Sequence, residues 1–165
     1  MAFDAYLEID GIPGESTDSN HTDWIEVKEY SHNITQPVAA SKSSGGSRAS
    51  ERANHGNLYV TKELDKASPK IALACCNGTN LAKVTIELCR ATGDKAKYMS
   101  IEMTDVLVAM YEPNGRTTEE GSLPTERVAF NYGTITWTYT HLDAATGAAK
   151  GDVSAKWNQL DNTGG

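Results

Sequence analysis

The residues best suited to proton or metal chemistry are four histidines, His21, His32, His55 and His141, and three cysteines, Cys75, Cys76 and Cys89. An imidazole serves as base or ligand when a second functional group stands beside it at a fixed spacing. The histidines lie in separate segments with no ligand spacing between any two. Cys75 and Cys76 are adjacent and Cys89 is alone, so no Cys-x-x-Cys pair exists. The cysteines read as small buried or half-buried thiols of a reducing compartment, with Cys75 expected to react slowest. Asp18, Asn20 and Thr22 approach a calcium loop, but its glycine and terminal glutamate are missing. The sequence contains no G-x-S-x-G, H-E-x-x-H, Walker-type loop or G-x-G-x-x-G. The expectation is a protein that is not an enzyme and takes no cofactor and no metal.

The elements that must carry these residues are mostly strands. Phe3, Ala5, Leu7 and Ile9 alternate with Asp4, Tyr6, Glu8 and Asp10. Ala82, Val84, Ile86 and Leu88 alternate in the same way with Lys83, Thr85, Glu87 and Cys89. Two longer runs contain a phase flip. Met99, Ile101 and Met103 give way to Val106, Val108 and Met110 across Thr104-Asp105. Val128, Phe130 and Tyr132 give way to Ile135, Trp137 and Tyr139 across Gly133. A flip turns the apolar set outward unless the strand bulges, so a bulge is expected at each. Thr134, Thr136, Thr138 and Thr140 form a polar ladder facing away from the apolar set.

One helix is legible over about residues 68–77. Ser68 is the expected N-cap, Pro69 takes the first turn, Ile71, Ala74 and Cys75 share a face, and Asn77-Gly78 stops it. Residues 37–57 hold almost no large apolar side chain and read as one long extended loop. The expected fold is therefore mainly β: a single domain over 1–165, an antiparallel two-sheet β-barrel or sandwich, barrel preferred, with one short flanking α-helix.

Charge narrows the partners. The formal net charge is −7, which opposes binding to nucleic acid or to an anionic membrane. No apolar run approaches the roughly 18 residues of a membrane span. The N-terminus carries Asp4 and Glu8 and no unbroken apolar core. A signal peptide is therefore not expected, and the protein is expected to be cytoplasmic when made.

Taken in order, the segments resemble one family. They are Tyr6-Leu-Glu-Ile-Asp-Gly-Ile12, Gly14-Glu-Ser16, His21-Thr-Asp-Trp-Ile25, Ser44-Gly-Gly46, Thr61-Lys62, Asp65-Lys-Ala-Ser-Pro69, Ala74-Cys75, Cys89-Arg-Ala91, Gly93-Asp94, Val106-Leu-Val108, Pro124-Thr-Glu126 and Trp157. They resemble the hemolysin-coregulated protein (Hcp) family, the tube subunits of type VI secretion systems. The resemblance implies a homohexameric ring, stacked with other rings into a tube. It also implies contact with a spike protein, a baseplate and a contractile sheath, small effector proteins in the lumen, and secretion without a signal peptide. It implies that Ser31 faces the lumen and that the 37–57 loop contacts adjacent subunits. Lys42, Arg48 and Arg52 make that loop basic on an acidic chain, and Gly45 and Gly46 free its backbone. Glu29-Tyr-Ser-His32 departs from the aromatic-Ser-Trp run of many relatives, which leaves the identity of any effector open. Composition and patterning alone are also met by a monomeric β-sandwich that binds carbohydrate or peptide. A small hydrolase with a site invisible in the sequence is a third reading.

Overall fold

Where apolar residues fall at every second position, the chain pairs into strands, and the partner strands carry the same rhythm. The computed structural model describes residues 2–39, 51–117, 120–121 and 123–165. Its elements are β1 (Phe3–Ile9), β2 (Ile25–Val27), β3 (Glu29–Ser31), β4 (Ile34–Thr35), β5 (Asn54–His55) and β6 (Leu58–Glu63). After these come α1 (Ser68–Asn77), β7 (Leu81–Arg90), β8 (Lys97–Asn114), β9 (Thr125–Leu142), β10 (Ala149–Asn158) and β11 (Thr163–Gly164).

The main sheet is antiparallel and runs β11-β10-β9-β8-β7-β1-β2, with β6 joined to the other half of β9 and β3 joined to β6. In β1 and β7 the alternation is realised as directly opposed apolar pairs, Ala5 with Leu88, Leu7 with Ile86 and Ile9 with Val84, all buried. Full burial of each Leu or Ile side chain stabilises the fold by about 1.5–3 kcal/mol. Phe3 is exposed and Thr85 and Cys89 are buried against the expected pattern, and two further departures have a visible cause. Tyr6 is buried although it lies on the polar face, because the His21 ring stacks on it at 4.2 Å. Ala82 is exposed, and Leu81, paired with Val106, takes the buried place at the start of β7.

The phase flips exist, but they are not the expected bulges. Thr104 pairs with Thr134 and Val106 with Tyr132, so β8 and β9 keep one register straight through Asp105 and Gly133. Both strands bend at the same step. Asp105 adopts a left-handed φ of 55°, and Gly133 opposite has no Cβ, which would stand 2.9 Å from the Asp105 carboxylate. The register shift in this pair lies further on, between Val108 and Met110. Below the bend β8 and β9 join β7 and β10; above it β9 joins β6. The two halves enclose one core that includes Leu7, Ile25, Leu58, Val60, Ile86, Met103, Val106, Val128, Phe130 and Ile135. The preference for a barrel is corrected: β2 pairs only with β1 and β3 only with β6, so the ladder does not close, and a sandwich describes it.

The helix has the expected bounds but a different start. Ala67 holds the N-cap position without a side-chain cap. The Ser68 hydroxyl instead donates to Glu126 Oε1 at 2.8 Å and accepts from the Asp65 N–H at 3.0 Å. Beneath it, Lys62 is wholly buried and paired with buried Glu126. Lys62 also donates to Asp65 Oδ1 and to the Glu63 carbonyl, each at 2.9 Å. Burial, followed by the neighbouring Glu126, pushes the Tyr111 phenol beside this group up to about 12. Ile71 and Ala74 face the core as expected, and Gly78 ends the helix at φ 64°.

A charge left in that pocket without its partner has nowhere to go. Lys62→Met is expected to cost about 3–5 kcal/mol, while Lys62→Met combined with Glu126→Leu recovers most of the loss. Urea unfolding of the two variants checks this, and equal losses would show that the pair is not coupled.

Candidate interaction surfaces

Ser31 ends β3 and pairs with Tyr59 of β6. It is exposed, as is Glu29 two residues earlier on the same face. The Tyr59 ring carries the Arg127 guanidinium 4.3 Å from its centre. Arg127 pairs in turn with Thr61 on one side and Glu112 on the other. The outer side of β3, β6 and this half of β9 is thus a wall of hydroxyl, aromatic and charged groups, with Ser31 at one edge.

Directly after Ser31 the chain enters the long loop. β4 and β5 form its stem through Ile34 with His55 and Thr35 with Asn54, and the Gln36 amide donates to the Glu51 carbonyl at 2.6 Å. Arg52 is exposed, two residues before the returning strand β5. Lys42, Gly45, Gly46 and Arg48 lie outside the described residues.

The opposite flank is a sheet that outruns its core. Along the apolar face of β8, β9 and β10 the cross-strand rows read Met103–Ile135–Trp157, Ile101–Trp137–Ala155 and Met99–Tyr139–Val153. The first row is buried at Met103 and Ile135. By the third row, Tyr139 is 49% and Val153 72% exposed. The apolar pattern continues while the material that would cover it does not. The other face of this wing holds the threonine ladder, tied across strands by Thr104 with Thr134, Thr138 with Ser154 at 3.2 Å and Thr140 with Asp152 at 2.7 Å. Only the last residues of β10 are paired by β11, which leaves the outer edge over 149–155 without a neighbour among the described residues.

Two clusters of titratable groups were invisible in the sequence, because their members are far apart along the chain. In the first, His21 Nδ1 meets Asp18 at 2.7 Å, and Nε2 meets Glu87 at 2.8 Å and Cys89 Sγ at 3.9 Å. Lys95 reaches Asp18 at 3.3 Å, and Lys97 reaches Glu87 at 3.1 Å. The Cys-His-Asp order resembles a thiol nucleophile's, but the chemistry is absent. Burial, then the Glu87 charge, raises the Cys89 thiol to about 11, and the sulfur is sealed from solvent. The imidazole faces Glu87 at the nitrogen a thiol would need. The cluster instead clips the 14–24 segment over β1 and β7. The His21 hydrogen bond holds the Asp18 carboxyl below its usual value, and the same carboxylate accepts the Asn20 N–H, so the sequence's calcium-like trio is a turn tied to a histidine. In the second cluster, His32 and His55 meet at the Tyr132 hydroxyl. His141 is exposed on β9. Among the described residues no group of three or more His, Cys, Asp or Glu is placed to hold a metal ion, and no helix is long and apolar enough to cross a membrane.

The expectation that Cys75 is the slowest thiol is corrected. Cys75 is half-buried and Cys76 exposed, whereas Cys89 is buried beneath His21. Thiol titration of the native protein is expected to react Cys76 first, Cys75 more slowly, and Cys89 only after denaturation. Early labelling of Cys89 would mean that the 14–24 segment opens readily.

A family model described as the type VI secretion system effector Hcp matches residues 6–139. The protein hcp1 of Pseudomonas aeruginosa is 28% identical over 163 residues, covering 98% of each chain. The major exported protein of the same organism is 26% identical over 159 residues, covering 84% of this chain and 90% of its own. A solved type six secretion system protein superposes with a TM-score of 0.91 at 32% identity, over 99% of this chain and 100% of that one. The crystal structure of Hcp1 from Salmonella typhimurium gives a TM-score of 0.80 at 27% identity, over 99% of both chains.

Proposed function

This chain belongs to the Hcp family of type VI secretion proteins, and from that premise we propose that it is the structural subunit of a secretion tube, a homohexameric ring that stacks on copies of itself. The observation that carries this reading is the β8–β10 wing, where an apolar face runs past the core to Tyr139 and Val153 beside an uncovered strand edge. Such a face suits a permanent neighbour of the same kind, because a ring gives every subunit's open flank a partner. Export of the assembled tube without a signal peptide is part of the same reading, and it agrees with the name of the exported relative.

Two finer assignments follow from the resemblance. Ser31 faces the lumen and, with Tyr59 and Arg127, forms part of the wall that small effector proteins contact. The 37–57 loop bridges rings through Lys42, Arg48 and Arg52, which meet the acidic face of the next ring, with Gly45 and Gly46 shaping the tip. The spike, baseplate and contractile sheath are the remaining partners, engaged by the end and the outer wall of the tube. The proposal requires no catalytic group, which fits a Cys89 that is sealed and held as the thiol.

Native mass spectrometry at micromolar concentration is expected to give six times the 17.8 kDa chain mass. A species at 17.8 kDa would favour the monomeric carbohydrate- or peptide-binding sandwich instead. Val153→Lys puts a charge on an already open surface, so the variant is expected to fold and to run as the monomer. Arg48→Glu with Arg52→Glu is expected to keep single rings but abolish stacking, which electron microscopy reads directly. Ser31→Gln is expected to keep the ring and weaken effector retention in a pull-down.

A further inference from the structure

The long loop leaves and rejoins the sheet through a stem only a few residues tall. His32 stands just before that stem and His55 within its returning strand, and both rings turn to one buried atom, the Tyr132 hydroxyl in β9. His32 Nε2 lies 2.8 Å from it and His55 Nδ1 2.7 Å. Both imidazoles meet the tyrosine ring edge-on, at 5.6 and 5.7 Å between centres. His55 also lies parallel to Trp157 of β10, with 6.4 Å between centres and 13° between planes. The Gln159 amide donates to the Tyr132 carbonyl at 2.7 Å, and the Gly56 N–H donates to the Asn33 carbonyl at 2.9 Å. The titratable groups facing His32 are His55 and Tyr132, and those facing His55 are His32 and Tyr132. Among the described residues no charged side chain is hydrogen-bonded or ion-paired to either ring.

A hydroxyl has one proton to give. With both rings neutral, Tyr132 donates to one nitrogen and accepts an N–H from the other, and all three groups are satisfied. A proton added to the accepting nitrogen sets two N–H groups against one oxygen and leaves the phenol proton without an acceptor. The surroundings already resist that proton. Burial, then the nearby His55, holds His32 below histidine's usual value, and burial holds His55 below it as well.

We propose that the His32–Tyr132–His55 bridge is an acid-released clasp, which fixes the stem of the long loop against β9 and β10 while both rings are neutral and lets it go on protonation. A free histidine titrates near about 6.5, and both rings titrate lower when clasped. The released form therefore binds more protons in the interval between. The clasp is at full strength above that usual value and is lost as pH falls through the values of the clasped rings. It stands on the geometry of described side chains and not on the loop's role in stacking.

Amide hydrogen exchange of the intact protein, corrected for intrinsic rates, tests it at about pH 7.5 and about pH 5.5. Residues 33–36 and 53–56 are expected to lose protection by about tenfold or more at the lower pH, while β1 and β7 keep theirs. In Tyr132→Phe the stem is expected to exchange fast at both values, with the pH effect gone. His55→Gln is the second variant, since it leaves the buried phenol in place, and its stem is expected to be insensitive to pH. Equal stem protection at both values in the parent, or parent-like pH dependence in both variants, overturns the clasp. Neither result depends on whether rings stack, so failure of the clasp and failure of the tube reading are told apart.

Discussion

The hairpin of β8 and β9 has to serve two halves of one molecule, and it does so because both strands bend at a single step. Asp105 is held in a left-handed conformation that costs a non-glycine residue about 1–2 kcal/mol. The Asn80 amide bonded to its carboxylate offsets part of that cost. Gly133 makes the close approach possible by having nothing to put there. Because register is preserved through the bend, Met103 and Ile135 below it, and Val106 and Tyr132 above it, all reach the same core. A bend in one strand alone would have broken the ladder between them.

With the hairpin fixed, the remaining parts have defined places. β6 has its half of β9 to pair with, and the helix can pack against β8. The buried Lys62–Glu126 pair and Ser68 then hold it there. A buried ion pair is weak evidence of net stability, but the Ser68 hydroxyl that donates to Glu126 ties the start of the helix to it. The His21 cluster does the same for the 14–24 segment. Both devices fasten irregular chain to the sheet with charge, whereas the sheet itself is held by apolar pairs.

Much of this was legible in the sequence, for a physical reason. Alternation is a local signal, so β1, β7, the helix bounds and both phase flips were open to reading from neighbouring residues alone. The meaning of the flips was not, because only the partner strand shows that Asp105 and Gly133 bend together. Lys62 and Glu126 read as solvated charges until the fold brings them together across 64 positions. His32, His55 and Tyr132 are likewise separated by up to 100 positions. Tyr6 sat in a polar register, and only a stacked histidine accounts for its burial. The shortage of core beneath β10 is a property of packing, which no pattern within Ala149–Asn158 could reveal.

In the proposed ring, the neighbour that covers this wing makes part of each chain's stability a matter of how many chains are present. A second copy settling on Tyr139 and Val153 would add its binding free energy to that of folding, and on that reading the midpoint of unfolding climbs with concentration. A chain alone exposes an apolar row and an unpaired strand edge together, the combination that proteases and aggregating neighbours find first. Lys150 and Asp152, spaced along that edge, place charges that discourage indiscriminate pairing. On the ring reading, survival is a property of the population and not of the single molecule.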